Sequence, residues 1–309
     1  MDFSKIKTIP IRDRTHKVNL SQIGSFSESA EFADFYDSLP DVLGARDLKR
    51  TAKAIADASN NGSEVILAMG AHPIKCGLSP LIIHLMELDI LTCVALNGAG
   101  IIHDFELAYI GETSDDVAET LRDGSFGMVE ETGRILNEAM KTGLKEKLGA
   151  GASVGRQIVE SGYKHSELSI CAAAHRLDID VTVHIAIGTD TIHVHPAADG
   201  AVLGEASHID FRKFTDHITR LESGVYINLD SAVILPEVFL KALSAVRNMG
   251  HDVATFLAVN MDMLQHYRPS ENVLRRPSLS GAEAINLNGH HEIMFPLLAR
   301  AVILEKERI

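Results

Sequence analysis

Residues Glu64–Glu106 read EVILAMGAHPIKCGLSPLIIHLMELDILTCVALNGAGIIHDFE and contain two apolar runs, each followed by a polar loop with glycine. The runs Val65–Met69 and Leu91–Leu96 have the length of buried strands, and the segment between them, Leu78–Leu88, is predicted to be an apolar helix. Strands that are apolar on both faces are typical of a parallel sheet covered by helices. Such sheets bind ligands at the carboxyl ends of their strands, so the two loops are the first candidate sites.

Short apolar runs alternate with longer helical patterns through the rest of the chain. The alternation predicts a doubly wound α/β fold, a mostly parallel sheet with helices on both faces. The predicted strands are Val65–Met69, Leu91–Leu96, Val181–Ile187, Val225–Leu229, Ala254–Asn260 and Ala284–Leu287. The predicted helices of the main domain are Ala45–Ser59, Leu78–Leu88, Ser114–Asp123, Ser125–Lys147, Ala152–Glu160, Glu167–Leu177, Ile209–Leu221, Pro236–Asn248 and His291–Lys306.

The pattern predicts an N-terminal arm, residues 1–45, followed by a single domain, residues 46–309. The arm is polar, with a helical patch at Ser29–Ser38, and arms of this kind often serve oligomer contacts. Several helices follow one another at about residues 116–161 without a strand between them. We expect them to form a helical insert over one edge of the sheet or over the site.

The composition of the 309 residues, 46% hydrophobic and 23% charged, is that of a globular protein. The formal net charge of -13 and the lack of a basic run argue against nucleic acid or an anionic membrane as the partner. The three cysteines have no paired spacing, which favours reduced thiols. With no signal-peptide pattern or spanning apolar run, the sequence predicts a soluble cytoplasmic protein.

The second loop carries the strongest candidates for chemistry. Small residues at Asn97, Gly98, Ala99 and Gly100 let a ligand approach the backbone, and their N–H groups suit a phosphate or carboxylate; a tight turn is the other interpretation. The motif His103-Asp104-x-Glu106 follows directly. A histidine beside a carboxylate accepts protons near neutral pH, so these three are the predicted catalytic residues.

The third strand ends in Gly188-Thr189-Asp190-Thr191-Ile192-His193-Val194-His195. On an extended segment, His193 and His195 would face the same side and could bind one metal. Contact with substrate or cofactor and a structural role are the other two interpretations, and the leading hypothesis assigns no metal. A loop with three glycines, Gly149–Gly155, lacks the preceding strand of a dinucleotide fingerprint, so we expect a loop and helix cap there.

Polar residues also follow the first strand and the later ones. The first loop contains His72 and Lys75, and later strands end at Asp230-Ser231, Met261-Asp262 and Asn288-Gly289-His290-His291. Polar residues at successive strand ends indicate a shared crevice. The predicted substrate contacts are His72, Lys75, His193, His195, Asp230 and His291.

From about Glu64 to Leu298 the order of elements resembles deoxyhypusine synthase, a tetrameric NAD-dependent enzyme with a Rossmann-like parallel sheet. The family's Thr-Asp-Gly strand end is similar to Gly188-Thr189-Asp190, and its final Phe-Pro-Leu-Leu helix is similar to Phe295–Leu298. The resemblance implies NAD as cofactor and a homo-oligomer, by analogy a tetramer. It implies cofactor contacts at Asn97, Gly98, Ala99, Gly100, Thr189, Asp190, Asn288, Gly289 and His290.

The chain departs from that family at the nucleophile. The family forms an imine with a lysine of a Trp-Gly-Lys motif, but this chain has no Trp and no Lys between Lys241 and Lys306. The loop Asn97–Glu106 instead resembles the Gly-Asn-Ala-x-Ala-x-His-Asp-x-Glu segment of NAD-dependent ornithine cyclodeaminase domains. Aminobutyl transfer to a protein lysine is therefore not expected by the synthase route.

These observations favour an NAD-binding enzyme that oxidises an amine or amino acid transiently to an imine. His103 with Asp104 would do the acid–base work, and Glu106, Asp190 and Asp230 would bind the substrate ammonium. One alternative is a metal-dependent hydrolase that uses His193 and His195. Another is a non-catalytic protein that binds a nucleotide or polyamine on the same scaffold.

Overall fold

A single sheet of six parallel strands lies at the centre of the computed structural model, which describes all 309 residues. Its strands are β1 (Val65–Met69), β2 (Cys93–Asn97), β3 (Asp180–His184), β4 (Val225–Leu229), β5 (Leu257–Asp262) and β6 (Glu283–Asn288). They lie side by side in the order β3-β2-β1-β4-β5-β6. The doubly wound α/β fold is therefore confirmed, and each predicted strand is present.

Helices cover both faces of the sheet. They are α1 (Phe32–Ser38), α2 (Leu43–Asn60), α3 (His72–Lys75), α4 (Ser79–Glu87), α5 (Gly98–Ile110), α6 (Val117–Thr120), α7 (Glu130–Gly143), α8 (Ala150–Ser161), α9 (Ile170–Leu177), α10 (Gly200–Thr219), α11 (Ile234–Asn248), α12 (Arg276–Ser278) and α13 (His291–Glu307). A π-helix, Pro269–Arg275, precedes α12. None of these helices combines the length and apolar character that crossing a lipid bilayer requires.

The central strands are buried because their side chains point alternately into two hydrophobic cores. Leu67 of β1 pairs with Val94 and Ile227 and belongs to the larger core, whereas its neighbours Ile66 and Ala68 belong to the smaller core. Burial of a leucine of this kind contributes about 1.5–3 kcal/mol. A charged residue at position 67 would therefore break the sheet at its centre.

The direction in which strands are added reverses between β1 and β4. In open α/β sheets this reversal creates a crevice beyond the carboxyl ends of the strands. The segment Asn97–Gly100 lies at this edge, but its prediction as a loop is wrong, because α5 begins directly after β2. The Asn97 side chain caps the helix by accepting a hydrogen bond from the Gly100 N–H at 3.0 Å.

Three other helix predictions differ in extent, and the one at Ser125–Lys147 is shortened to α7. The helix predicted at Ser114–Asp123 is reduced to α6, and the chain then turns through Gly124 and Gly127, whose φ angles are 81° and 71°. The helix predicted from Ile209 begins earlier, at Gly200, where the Asp199 side chain caps α10.

The glycine-rich segment Gly149–Gly155 is a packing motif. Gly149 is the N-cap of α8, and the Gly151 N–H donates to the buried Asp210 carboxylate at 2.9 Å. A Cβ on Gly151 would lie 2.0 Å from the Val181 carbonyl oxygen, so glycine is what lets α8 approach β3. Burial raises the pKa of Asp210 to about 7.

Residues 1–31 lie largely exposed and form only three short 3-10 turns, at Phe3–Lys5, Ile11–Asp13 and Leu20–Gln22. The chain joins the core in α1, where Tyr36 is 1% exposed. Contact with the domain thus starts inside the segment predicted as the arm, residues 1–45. The predicted insert, about residues 116–161, contains α6, α7 and α8 with no strand among them.

Candidate functional site

A cavity of about 200 Å³ opens at the carboxyl edge of the sheet. The insert and the loop before it form one wall through Ser114, Asp115, Val117, Phe126, Gly127, Val129, Thr132 and Gly133. The opposite wall comes from the loops and helices after β1, β2 and β3 through Lys75, Ala99, Ile102, His103, Glu106, Thr189, Asp190 and Thr191. Six predicted site residues therefore meet in one cavity: Lys75, Ala99, His103, Glu106, Thr189 and Asp190.

A hydrogen-bonded chain connects His103 to Glu106 through Thr113. His103 Nδ1 lies 2.7 Å from Thr113 Oγ1, and that hydroxyl donates to Glu106 Oε2 at 2.6 Å. Thr132 donates to the other Glu106 oxygen at 3.0 Å. Because the Thr113 proton goes to Glu106, the hydroxyl accepts from His103, so Nδ1 carries the imidazole proton.

This arrangement prepares His103 to accept a proton. With Nδ1 protonated, Nε2 is the ring nitrogen with an available lone pair, and it makes no hydrogen bond within the chain. Burial lowers the pKa of His103, which keeps the ring neutral near pH 7. Thr113 and Thr132, which orient the pair, were not predicted, because a lone threonine has no sequence signal for this role.

Asp104 does not belong to the cavity, and its predicted part in acid–base chemistry is corrected. Its carboxylate is fully buried and accepts hydrogen bonds from Ser169 Oγ at 2.5 Å and Ile170 N at 2.7 Å. These donors lie at the N-terminus of α9. Adjacent residues on a helix point in different directions, so α5 directs His103 to the cavity and Asp104 to the core.

Asp190 occupies the N-terminus of α5, the place where a phosphate or carboxylate of a ligand was expected. A Cβ on Gly98 would lie 2.0 Å from Asp190 Oδ2, and the carboxylate accepts a hydrogen bond from the Ala99 N–H. Burial raises the pKa of Asp190. Its Oδ2 atom is buried and makes no hydrogen bond; His193 Nε2 lies 3.6 Å from it, so the oxygen can accept from a ligand.

His193 and His195 do not present their rings to one ligand. They lie in and after the 3-10 turn Thr191–Val194, so the predicted extended segment is wrong. His193 Nδ1 accepts from the Gly188 N–H at 3.1 Å, and His195 Nε2 lies 3.2 Å from Glu130 Oε2. The two-residue spacing brings side chains together only on a strand.

A second cluster lies at the ends of β4 and β5 and the start of α13. His291 Nε2 is 3.2 Å from Asp230 Oδ1 and 3.9 Å from Asp262 Oδ1. The His72 N–H donates to Asp230 Oδ2 at 3.2 Å, and the His72 and His291 rings lie 5.8 Å apart. Burial lowers the pKa of His291, but the two carboxylates outweigh it and raise the pKa overall.

The cluster thus unites three predicted substrate contacts, His72, Asp230 and His291, with Asp262. The sequence showed Asp262 as a polar strand end, but the register of β5 against its neighbours decides its place. The other predicted residues of the last loop lie apart from the cavity. Asn288 accepts from Gln265, Gly289 packs against Met294, and His290 has a 66% exposed side chain.

Comparison with known proteins gives a result for the fold only. No protein-family model matches the chain, and no curated protein matches it in sequence. Among solved structures, a LOR/SDH protein from Methanococcus maripaludis S2 has a TM-score of 0.53 at 16% identity, covering 94% of this chain and 73% of its own. AgrE in complex with ornithine and NAD+ has a TM-score of 0.53 at 13% identity.

A structure described as a deoxyhypusine synthase from Entamoeba histolytica has a TM-score of 0.52 at 12% identity and covers 91% of this chain and 95% of its own. The match to AgrE covers 87% of this chain but only 35% of AgrE, so the chain spans about a third of that protein. The protein therefore has a deoxyhypusine synthase-like fold, at low sequence identity to each of these structures.

Proposed function

We propose that the protein is an NAD-dependent enzyme that oxidises the amine-bearing carbon of a small amine or amino acid to an imine, which is then hydrolysed, cyclised or transferred. One observation carries the proposal: a neutral His103, oriented by Thr113 and Glu106, lies beside a cavity at the carboxyl edge. The fold supports it, since AgrE, which shares the fold, has been crystallised with ornithine and NAD+.

The residues at the cavity fit part of NAD. The buried Asp190 Oδ2 makes no hydrogen bond within the chain and suits a ribose hydroxyl. The pyrophosphate would not bind at the start of α5, because the Asp190 carboxylate there would repel it. Asp190 and Thr189 would thus hold the sugar, with Asn97 to Gly100 supporting them from the start of α5. When bound, NAD supplies the hydride acceptor for the carbon that carries the amino group.

The side chains around the cavity suit an amino acid or amine. The Lys75 ammonium would bind a substrate carboxylate, and the acidic Asp115 would attract its ammonium group. His103 Nε2 takes the proton that the ammonium must lose before the carbon can give up a hydride. Thr113 and Glu106 then stabilise the charged imidazole. A cavity of about 200 Å³ restricts the substrate to a small molecule.

The route differs from that of deoxyhypusine synthase, since no lysine stands near the last strand to form a covalent imine. We also propose a cytoplasmic homo-oligomer, by resemblance a tetramer. Its support is the unpaired state of Cys76, Cys93 and Cys171 and the exposed apolar side chains of the arm, such as Phe26 at 91%. Sedimentation of full-length protein and of a variant without residues 1–31 would measure the arm's part.

The central experiment is titration of purified protein with NAD by calorimetry, followed by rapid mixing with ornithine, arginine and diamines while nicotinamide absorbance is recorded. We expect NAD binding and a burst of reduced cofactor with at least one amine. The burst should disappear in His103→Gln and persist in His84→Gln, a matched change at a histidine with a 57% exposed side chain. Absence of NAD binding would overturn the proposal. Binding without any burst would favour the non-catalytic alternative.

A further inference from the structure

We propose that Asp230, Asp262 and His291 bind a divalent transition-metal ion. The site goes beyond the proposed NAD chemistry and does not depend on it. The three residues come from the ends of β4 and β5 and from the first turn of α13, so the sheet and a long helix fix their positions. One ligand atom from each residue lies within 4.8 Å of the others, which is close to the spacing around a single ion.

The imidazole of His291 is the clearest sign of a missing ligand. The residue is 1% exposed, and its Nε2 atom forms no hydrogen bond although Asp230 Oδ1 is only 3.2 Å away. The carboxylate oxygen is near the nitrogen without the alignment that a hydrogen bond requires. Two atoms bound to one ion at about 2.1 Å each are separated by about 3 Å, because both point at the metal rather than at each other.

The charge of the cluster also favours a bound cation. The Asp262 side chain is 5% exposed and that of Asp230 is 18% exposed, yet neither carboxylate has a lysine or arginine within 4.0 Å. Their cationic neighbours are histidines only: His291 lies beside both carboxylates, and His266 Nε2 lies 3.9 Å from Asp262 Oδ2. Two buried carboxylates that share one buried imidazole are unfavourable without a further cation. A divalent ion would neutralise both at once.

Neighbouring groups orient the ligands in the way that supports metal sites. The His72 N–H donates to Asp230 Oδ2, which leaves Oδ1 facing His291. The Leu264 N–H donates to Asp262 Oδ1 at 3.2 Å. Gly70 allows the close approach of Asp230, because a Cβ there would lie 2.5 Å from the Asp230 carbonyl oxygen. Such outer contacts orient ligands and raise affinity for the ion.

The ligand types restrict which ion fits. An imidazole with two carboxylates suits Zn²⁺, Fe²⁺ or Mn²⁺, whereas Mg²⁺ and Ca²⁺ are bound by oxygen ligands. Three protein ligands leave at least one coordination position for water or for another molecule. The ion would lie at the same edge of the sheet as the cavity.

The test uses full-length protein freed of metal with a chelator and then titrated with Co²⁺ and Zn²⁺. We expect one ion per chain, a visible cobalt spectrum, and calorimetric binding that Asp262→Asn weakens at least about 100-fold. His291→Gln should abolish the cobalt spectrum. The matched control is His290→Ala, which should bind metal as the wild type does, since its side chain is 66% exposed. Circular dichroism establishes that each variant is folded.

Two results would overturn the proposal. One is that the wild-type protein binds neither ion. The other is that binding survives both Asp262→Asn and His291→Gln, which would mean that the ion binds elsewhere. A third result would assign the cluster to an ammonium group instead. In that case the protein binds no metal, the metal-free protein binds ornithine or putrescine, and Asp262→Asn abolishes the binding of these amines. Parallel NAD titration of metal-free protein separates this outcome from failure of the proposed function.

Discussion

The two edges of the sheet hold ionisable clusters of opposite kinds. At the amino ends of the strands, the Glu64 carboxylate is hydrogen-bonded to His217 at 3.0 Å and to Arg220 at 2.8 Å. The Asp180 carboxylate is hydrogen-bonded to the same His217 at 3.1 Å and to Lys213 at 2.7 Å. Each acid there has a cationic partner. At the carboxyl edge, the buried Asp190 Oδ2 and His291 Nε2 make no hydrogen bond, although His193 Nε2 lies 3.6 Å from the first and Asp230 Oδ1 3.2 Å from the second.

The difference separates stability from function. A fully paired network at one edge holds strand ends together and leaves nothing for a ligand, whereas unpaired buried groups cost stability and persist where a ligand satisfies them. Substitutions at the amino edge should therefore affect unfolding and leave chemistry intact. Substitutions at the carboxyl edge should do the reverse.

The largest expected effect is on catalysis at His103. His103→Gln removes the proton acceptor while leaving an amide to contact Thr113, so we expect the rate of cofactor reduction to fall by about 10²–10⁴. Because burial lowers the pKa of His103, wild-type activity should stay high until the pH falls below the ordinary value of 6.5. Stopped-flow rates across pH measure both effects. The unfolding midpoint of His103→Gln in urea should equal that of the wild type. A destabilised variant would contradict the division of roles between the two edges.

The second effect is on stability at Glu64, whose side chain is 8% exposed. Glu64→Gln removes the carboxylate of Arg220 and leaves His217 with Asp180 alone, so we expect unfolding to become easier by about 3 kcal/mol. The matched change, Asp262→Asn in metal-free protein, removes a buried carboxylate whose cationic neighbours are histidines 3.9 Å away, so it should be neutral or stabilising. Urea unfolding of both variants decides the point. Equal losses at the two positions would contradict the distinction.

The third effect concerns alkaline pH. Burial lowers the pKa of His217, but the Asp180 and Glu64 carboxylates outweigh it and raise the pKa from 6.5 to about 9. A raised pKa in the folded state means that the stabilisation is complete below pH 6.5 and is lost as the pH rises through about 9. The shift corresponds to about 3 kcal/mol. Unfolding of wild type and His217→Gln should therefore differ at neutral pH and converge in alkali. A constant difference would assign the loss to packing.

The parts of the molecule that local pattern determines could be predicted. The apolar run Val65–Met69 had to be a central strand, and the polar strand ends marked the carboxyl edge. What failed depended on partners far along the chain. The Asp104 carboxylate accepts from Ser169, 65 residues away at the start of α9, and Asp190 of another loop occupies the start of α5.

Convergence of side chains is likewise invisible in a single sequence. Asp230, Asp262 and His291 lie on three elements, and only strand order and register bring them within ligand distance. His193 and His195 looked like a pair because their two-residue spacing was interpreted as a strand. The 3-10 turn there is stabilised by the capping box between Asp190 and His193. The three-residue spacing of these two side chains is visible in the sequence, but an extended segment would not bring them into contact.

The smallest expected effect is at Thr113, which positions His103 and does not contact the reacting atoms. Thr113→Val keeps the shape but removes the hydroxyl, and the loss of about 1 kcal/mol should slow the reaction about fivefold with little change in stability. Thr113→Ser restores the hydroxyl and should restore the rate, which a merely structural role of the methyl group would not do. If serine fails to rescue, Glu106 does not act through Thr113, and the carboxyl edge loses the relay on which the proposed chemistry rests.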